Sequence, residues 1–253
     1  MKYGKFDVDG QPIGILDSGI GGVSTLMAIR QKLPKEKLLY ANLKKFVAFG
    51  NMSEHKIFRE SASLVDKLMQ SNCKAIVIAC NTATNVGVGN LRIKYKIPFI
   101  GCEPAIKPAV ESGCKNILVL VTVATSRQSK FLNLVGQYNL QANIEVAPQQ
   151  DLARLIETSI AGISLKDNLN LQKYSLPDNF YCDLQLQLRQ HVWDILDKYP
   201  HVDGIVLGCT HYIFLSQIIK DYFESCNKVV RLFDGNEGIS NRLKCELSVD
   251  CKS

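Results

Sequence analysis

The chain lacks any run of apolar residues long enough to cross a membrane, which takes about 20 residues in a helix. Its amino-terminal segment, residues 1–16, has no apolar core of the kind found in export signals. The nine cysteines form no Cys-x-x-Cys pair, and no His or Cys cluster has the spacing of zinc ligands. We therefore expect a cytoplasmic protein with reduced thiols, no metal centre and no membrane partner.

The sequence also has few features that bind nucleic acids or nucleotides. Its net charge of +6 comes from scattered Lys and Arg residues, without interleaved aromatic residues that could stack on bases. No phosphate-binding loop with a lysine is present, and after residues 19–22 the sequence has Ser24 where a dinucleotide motif needs its third glycine. Neither a nucleic-acid partner nor a nucleotide cofactor is expected.

Four short apolar runs, rich in Ile, Val and Leu, each end in a cluster of small and polar residues. The runs span residues 13–16, 75–79, 116–121 and 204–207, and a longer stretch follows each one. This alternation is typical of strand-helix units around a parallel sheet and predicts an α/β fold. In such sheets ligands bind beyond the carboxyl ends of the strands, so the polar clusters there are the candidate functional residues.

Helices are predicted where apolar residues recur every three or four positions. This spacing indicates helices from residue 23 to before Pro34, over most of residues 141–199, and from about residue 214 to 223. The polar segment 166–180 is predicted to be a loop.

Two of the apolar runs resemble each other. Residues 75–82 and 204–211 both contain a small residue, three apolar residues, a second small residue, a cysteine, and a hydroxyl residue within two positions. The cysteines are Cys80 and Cys209, in different halves of the chain. The repeat predicts two similar halves whose thiols approach a common cleft from opposite sides.

Two opposed thiols suit the inversion of a stereocentre, which requires a proton to leave one face of a carbon and another to arrive at the opposite face. A thiol has an ordinary pKa of about 8.5, and the start of a helix stabilises its anion. Cys80 and Cys209 both lie between a predicted strand and the segment that follows it. His211 and Asp17 are candidates to orient protons on these thiols, although Asp17 could also cap the following helix.

The polar side chains near the predicted strand ends fit a small polar substrate. Hydroxyl and amide groups there, with backbone N–H groups of the glycine segment, could bind two carboxylates and an ammonium group. These candidate substrate-binding residues are Ser18, Asn81, Thr82, Thr122, Thr125 and Thr210.

Several segments resemble the signature blocks of bacterial glutamate racemases, in the aspartate/glutamate racemase family, and occur in the same order. They are Asp-Ser-Gly-Ile-Gly-Gly at 17–22, Ala-Cys-Asn-Thr-Ala-Thr at 79–84, Pro-Ala-Ile-Lys-Pro-Ala at 104–109, Leu-Gly-Cys-Thr-His-Tyr at 207–212 and Arg-Leu-Phe-Asp at 231–234. The resemblance runs from about residue 13 to 243.

The resemblance implies two pseudosymmetric α/β domains, each a mostly parallel sheet flanked by helices, with glutamate in the cleft between them. We expect residues 1–102 plus 214–253 to form the first domain and residues 103–213 the second. The resemblance implies Cys80 and Cys209 as the opposed bases, with Asp17 and His211 as their assistants. It further implies no pyridoxal phosphate, no metal, a homodimer, and D-glutamate supplied to peptidoglycan synthesis.

One segment departs from the family pattern. Where the family usually has Asp, and later Arg-x-Pro-Tyr-Gly, this chain has Leu43 and then Phe-Val-Ala-Phe-Gly at 46–50. Phe49 and Gly50 occupy the positions of a substrate-binding loop, but Phe49 lacks the tyrosine hydroxyl. No role is assigned to Glu157 from the sequence.

The altered loop leaves two alternatives to glutamate racemisation. The chain could racemise aspartate or a related acid, or it could bind an acidic amino acid without catalysis. The pair of cysteines argues against a purely binding protein, because binding does not need a thiol on each face of the ligand. A nucleotide-binding regulatory domain is a third alternative, with little support in the sequence.

Overall fold

The structure, a computed structural model, describes residues 10–43, 49, 52–161 and 183–248. Within them lie the strands β1 Ile13–Leu16, β2 Leu38–Ala41, β3 Ala75–Ile78, β4 Phe99–Gly101, β5 Asn116–Thr122, β6 Asn143–Gln149, β7 Gly204–Leu207 and β8 Arg231–Phe233. The α-helices there are α1 Val23–Lys32, α2 Glu54–Gln70, α3 Asn81–Lys94, α4 Ile106–Glu111, α5 Val123–Ser126, α6 Ser129–Tyr138, α7 Leu152–Ala161, α8 Asp183–Leu196, α9 Ser216–Ser225 and α10 Asn236–Leu247. Searched over those ranges, no helix combines the length and apolar character of a membrane span.

The strands form two parallel four-stranded sheets with the same internal order. The first sheet is β2-β1-β3-β4 and the second is β6-β5-β7-β8. In each sheet the first strand along the chain therefore lies between the second and the third. This confirms the predicted α/β fold, in which two lobes each contain a parallel sheet flanked by helices.

The shared order explains the internal repeat. Leu16 pairs with Ile78 in the first sheet, and Leu120 pairs with Leu207 in the second. Because Cys80 and Cys209 each follow by two residues the last paired residue of their strand, they occupy equivalent positions in the two lobes.

The central strands are apolar throughout because both faces of each sheet are covered. Every residue of β1, β3 and β7 is buried. In the first lobe, β1 and β3 contribute to one apolar cluster with α2 and α3 and to another with α1 and α10. Strands buried on two faces read as continuous apolar runs rather than as alternating ones, which is why these strands could be placed from the sequence.

The boundary between the lobes differs from the prediction. Residues 214–253 were expected in the first domain, but β8 pairs with β7 in the second sheet, and α9 packs against α8. Only α10 returns to the first lobe, where it packs against α1. The chain thus returns to the first lobe only after β8, which pairs with β7 as the fourth strand of the second sheet.

The predicted helical region from 141 to 199 also contains strand β6. This strand lies at the edge of the second sheet and alternates between exposed and partly buried residues, with Pro148 near its end. An edge strand tolerates proline because one of its sides makes no ladder hydrogen bonds. The helical prediction is correct for α7 and α8, while the predicted loop 166–180 lies outside the described residues.

Candidate active site

Both cysteines lie where a strand ends and a helix begins. Cys80 follows β3 and is the capping residue of α3, whereas Cys209 follows β7 and caps a short 3-10 helix, Thr210–Leu215. Cys80 is buried and Cys209 is partly exposed, and both are free thiols. At the second site the α-helix begins at Ser216, close to the predicted start at about residue 214, and the 3-10 helix precedes it. Cys209 therefore has neighbouring side chains, rather than the first turn of an α-helix, next to its sulfur atom.

The neighbour of Cys209 is His211, which is almost entirely buried. Its Nδ1 lies 3.8 Å from the Cys209 Sγ atom, and its Nε2 lies 2.6 Å from Glu157 Oε2. Burial lowers the pKa of His211, but hydrogen bonds to Cys209 and Glu157 and the charges of Cys209 and Asp17 raise it to about 10. The raised pKa favours the imidazolium form of the ring, which would place a positive charge beside the Cys209 sulfur.

Glu157 was assigned no role from the sequence, yet it joins the two lobes. It lies on α7 in the second lobe, and its Oε2 accepts hydrogen bonds from His211 and from the backbone N–H of Ile20 in the first lobe. Glu157 is 54 residues away from His211 in the chain. The feature of the sequence that could have pointed to Glu157 is that it is the only acidic residue between Leu152 and Ala161, the described range of helix α7.

Asp17 lies at the end of β1 and is fully buried. Its Oδ1 accepts hydrogen bonds from the backbone N–H of Ser18 at 2.5 Å and from the Ser18 hydroxyl at 3.2 Å. Its Oδ2 has no hydrogen-bond partner among the described residues. Burial raises the pKa of the Asp17 carboxyl, against the charge of His211 and the nearby Thr210 hydroxyl, which lower it.

The Cys80 thiol is held in its protonated form. Burial raises its pKa above the ordinary value, and the charges of Asp17 and Cys209 raise it further. The backbone N–H of Ala83 and the Ser18 hydroxyl act in the opposite direction but do not offset the burial. The two cysteines are thus unequal, because Cys209 has a cation beside it and Cys80 lies in an apolar cluster near a carboxylate.

The glycine loop, residues 19–22, lies between His211, the neighbour of Cys209, and Asp17. A Cβ atom placed on Gly21 would lie 2.8 Å from both the backbone nitrogen and the Nδ1 of His211. A Cβ atom on Gly22 would lie 2.8 Å from Asp17 Oδ2. The loop therefore lies close to both predicted assistants, and only glycine fits at positions 21 and 22 without a shift of the neighbouring atoms.

Three threonine hydroxyls form a triangle, here called the threonine triangle, between the lobes. Thr82 at the start of α3 lies 3.1 Å from Thr122 and 3.0 Å from Thr125, measured between Oγ1 atoms. Thr122 and Thr125 belong to the second lobe, and their hydroxyls are 3.0 Å apart. All three residues are buried. The structure thus brings together three of the predicted substrate-binding residues, of which Thr82 lies 40 and 43 positions from the other two in the sequence.

The remaining predicted residues lie in different surroundings. Asn81 is buried beside Cys80 in the chain, and its Oδ1 has no hydrogen-bond partner among the described residues. Thr210 lies between Cys209 and His211, with its Oγ1 3.5 Å from the His211 Nδ1. Phe49 is buried in the apolar cluster that contains Cys80, while Gly50 and residues 44–48 lie outside the described residues.

A cavity of about 480 Å³ is lined in part by Val123 and Ala124, which lie between Thr122 and Thr125 in the chain. One wall comes from the start of α2, with Met52 and Ile57, and the other includes Val123, Ala124 and Gln128. Neither Cys80 nor Cys209 is among the described residues that line this cavity. In the ranges that the structure describes, no cluster of three His, Cys, Asp or Glu side chains is arranged to hold a metal ion.

Replacing Glu157 by glutamine is expected to weaken the charge on His211. The substitution removes the negative charge at 2.6 Å but keeps the size of the side chain, so the pKa of His211 falls. We expect the kcat of the predicted racemisation at pH 7 to fall about tenfold, the size expected for one charge-assisted hydrogen bond. The alkaline limb of the pH profile of kcat/KM should move to lower pH.

The same variant tests the contribution of His211 to stability. Its pKa of about 10 lies above the ordinary value of 6.5, so its interactions stabilise the fold fully below pH 6.5 and are lost as the pH rises through about 10. The difference in Tm between wild type and Glu157→Gln should therefore shrink from pH 6.5 to 10. Glu145→Gln, on the exposed side of β6, is the control. A Tm difference independent of pH would contradict the assignment.

Comparison with known proteins agrees with this geometry. Residues 28–238 match the Asp/Glu/Hydantoin racemase family. The chain is 36% identical over 242 residues to a glutamate racemase of Clostridium botulinum, covering 95% of this chain and 85% of the relative. It is 35% identical over 242 residues to a glutamate racemase of Clostridium acetobutylicum, with the same coverage of both.

A solved structure is also similar over most of the chain. The crystal structure of Escherichia coli glutamate racemase in complex with L-glutamate and the activator UDP-MurNAc-ala superposes with a TM-score of 0.75 at 26% identity. The match covers 92% of this chain and 81% of that chain. The prediction of a racemase, an isomerase, is confirmed at the level of the family, and the chain belongs to the Asp/Glu/Hydantoin racemase family.

Proposed function

We propose that the chain interconverts L-glutamate and D-glutamate without a cofactor, using Cys80 and Cys209 as two acid/base groups. The observation that carries the proposal is the equivalent placement of these thiols at the ends of β3 and β7, with unequal charges around them. Racemisation needs one base and one acid at the same moment, on opposite faces of the α-carbon. We assign the role of base to Cys209, which has the His211 ring beside its sulfur atom, and the role of acid to Cys80, whose pKa is raised by burial.

In the resting protein the Cys209 thiolate removes the α-proton from the enantiomer whose α-hydrogen faces Cys209. An S–H bond forms as the Cα–H bond breaks. The electron pair left on the α-carbon is delocalised into the α-carboxylate. Cys80 then donates its proton to the opposite face and becomes a thiolate. The product has the inverted configuration, and the two thiols have exchanged their protonation states. The reverse reaction begins from that second state.

The groups around the thiols would bind and orient the substrate. The threonine triangle and the Asn81 side chain lie at the start of α3, where hydroxyls and free backbone N–H groups suit a carboxylate. Ser18 and Thr210 would bind further polar groups. Asp17 follows β1 and Cys80 follows β3, and these two strands are paired up to Leu16 and Ile78, so we assign Asp17 the role of orienting the Cys80 proton.

Glutamate is the proposed substrate because the named relatives are glutamate racemases and the E. coli structure contains L-glutamate. An aspartate racemase is the second candidate, since Leu43 and Phe49 put apolar side chains near Cys80 where the family pattern has polar ones. We further propose that the protein is a cytoplasmic homodimer that supplies D-glutamate for peptidoglycan.

The substrate is tested by measuring racemisation of L-glutamate, L-aspartate and L-alanine by the purified protein. We expect inversion of glutamate well above that of the other two. Inversion of aspartate alone would reject glutamate as the substrate. Binding of glutamate with no exchange of its α-hydrogen would instead support the binding protein without catalysis.

A further inference from the structure

The polypeptide crosses between the lobes at two places that touch each other. The first crossing follows β4 and includes Cys102 and Glu103, and the second follows β8 and includes Gly235. A Cβ atom on Gly235 would lie 2.9 Å from the Cys102 Sγ atom and 3.2 Å from the Glu103 carbonyl oxygen. The two crossings are therefore in contact with each other between the lobes.

Asn236, the first residue of α10, connects the second crossing to α1. The Asn236 backbone N–H donates to Asp234 Oδ1 at 2.8 Å, which fixes the turn into the helix. Its side chain makes two further bonds, because Oδ1 accepts from the Thr25 hydroxyl at 2.6 Å and Nδ2 donates to Ser24 Oγ at 3.3 Å. The Asn236 side-chain amide thus accepts a hydrogen bond from Thr25 and donates one to Ser24, which are neighbouring residues of α1.

The bonds continue from Ser24 into the glycine loop. The Ser24 hydroxyl donates to the Gly21 carbonyl oxygen at 2.9 Å. Gly21 in turn packs so closely on His211 that a Cβ atom there would lie 2.8 Å from the ring Nδ1, the atom that faces the Cys209 sulfur. One continuous path of bonds and contacts therefore runs from the second crossing to the charged partner of Cys209.

We infer that Asn236 is a positioning residue, which holds the glycine loop against His211 through Ser24 and so fixes the position of the His211 ring relative to Cys209. The inference rests on the proposed function, because it concerns the geometry of that reaction. It does not concern substrate binding, since Asn236 makes no bond to the threonine triangle or to Asn81.

The substitution Asn236→Asp separates positioning from stability. Aspartate keeps the size of the side chain and its acceptor for Thr25 but cannot donate to Ser24. A carboxylate in the first turn of α10 is also favourable to the helix. We expect kcat to fall about tenfold, the size expected from one hydrogen bond, with little change in KM and no loss of Tm.

A double-mutant cycle with Ser24→Ala tests the path itself. If Asn236 acts through Ser24, the effects of Asn236→Asp and Ser24→Ala on kcat will not add, and the double variant will resemble the worse single variant. The control is Asn143→Ala, which removes an amide bonded to Asn116 at the amino-terminal ends of β5 and β6 and should leave kcat unchanged.

The outcomes separate the inference from the proposed function. Wild type that racemises none of the amino acids would reject the proposed function and with it this inference. Active wild type with unchanged kcat in Asn236→Asp, or with additive effects in the cycle, would reject the positioning role alone. A fall in Tm that fully accounts for lost activity in Asn236→Asp would also overturn it.

Discussion

Replacing either Cys80 or Cys209 by serine is expected to lower the rate of glutamate racemisation by at least ~10²-fold, the lower end of what a positioned acid or base contributes. A serine hydroxyl fills nearly the same space, but it does not ionise in the range where a thiol can act as a base. Each variant retains one thiol, so it can exchange a proton on one face but cannot complete the inversion. The measurement is the initial rate from each enantiomer.

Two other cysteines are matched controls. Cys114 is a buried thiol near the amino-terminal end of β5, on the far side of the second sheet from Cys209, and Cys226 is exposed after α9. Neither Cys114→Ser nor Cys226→Ser should change the rate by more than about twofold, because neither residue reaches the cleft. A loss as large as that of Cys80→Ser in either control would contradict the assignment of the reaction to two specific thiols.

Gly21→Ala is expected to lower kcat/KM about 100-fold, as for a displacement of reacting groups by about 1 Å. The added methyl group would lie 2.8 Å from the His211 backbone nitrogen as well as from its ring, and a backbone atom cannot rotate away. The glycine loop or the 3-10 helix must therefore move, which changes the distance between His211 and Cys209. The measurement is kcat/KM together with Tm.

The matched control for this variant is Gly136→Ala. Gly136 lies on the exposed side of α6, and a Cβ atom there meets nothing within 4 Å. Alanine is the better helix residue, so this variant should keep full activity and have a slightly higher Tm. Full activity in Gly21→Ala would mean that the close packing of the glycine loop on His211 is not required for the reaction.

The central strands could be predicted from their apolar runs, and the outer strand β6 could not. β1, β3, β5 and β7 are apolar runs buried on both faces, which is a local pattern. β6 was missed because an edge strand alternates and contains Pro148, and this pattern competes with helical spacing. The wrong domain boundary has a related cause, since the three residues of β8 join the second sheet only through pairing with β7.

The site was predictable to the extent that its residues follow strand ends. Asp17, Cys80, Thr122 and Cys209 each lie just beyond or at the end of a parallel strand, so their gathering follows from the fold. Glu157 could not be assigned, because its role depends on a helix from another part of the chain packing beside His211. The difference in surroundings between the two thiols was equally hidden, since it arises from burial and tertiary neighbours.

The most direct test of a two-thiol mechanism is racemisation in heavy water, started from pure L-glutamate and, separately, from pure D-glutamate. Each product molecule receives its α-hydrogen from a thiol that has exchanged with solvent, whereas unreacted substrate keeps its original hydrogen. At low conversion the account predicts deuterium at Cα of the product and almost none in the remaining substrate, from both starting enantiomers. Equal deuterium in substrate and product, or product that retains the substrate's hydrogen, would contradict it.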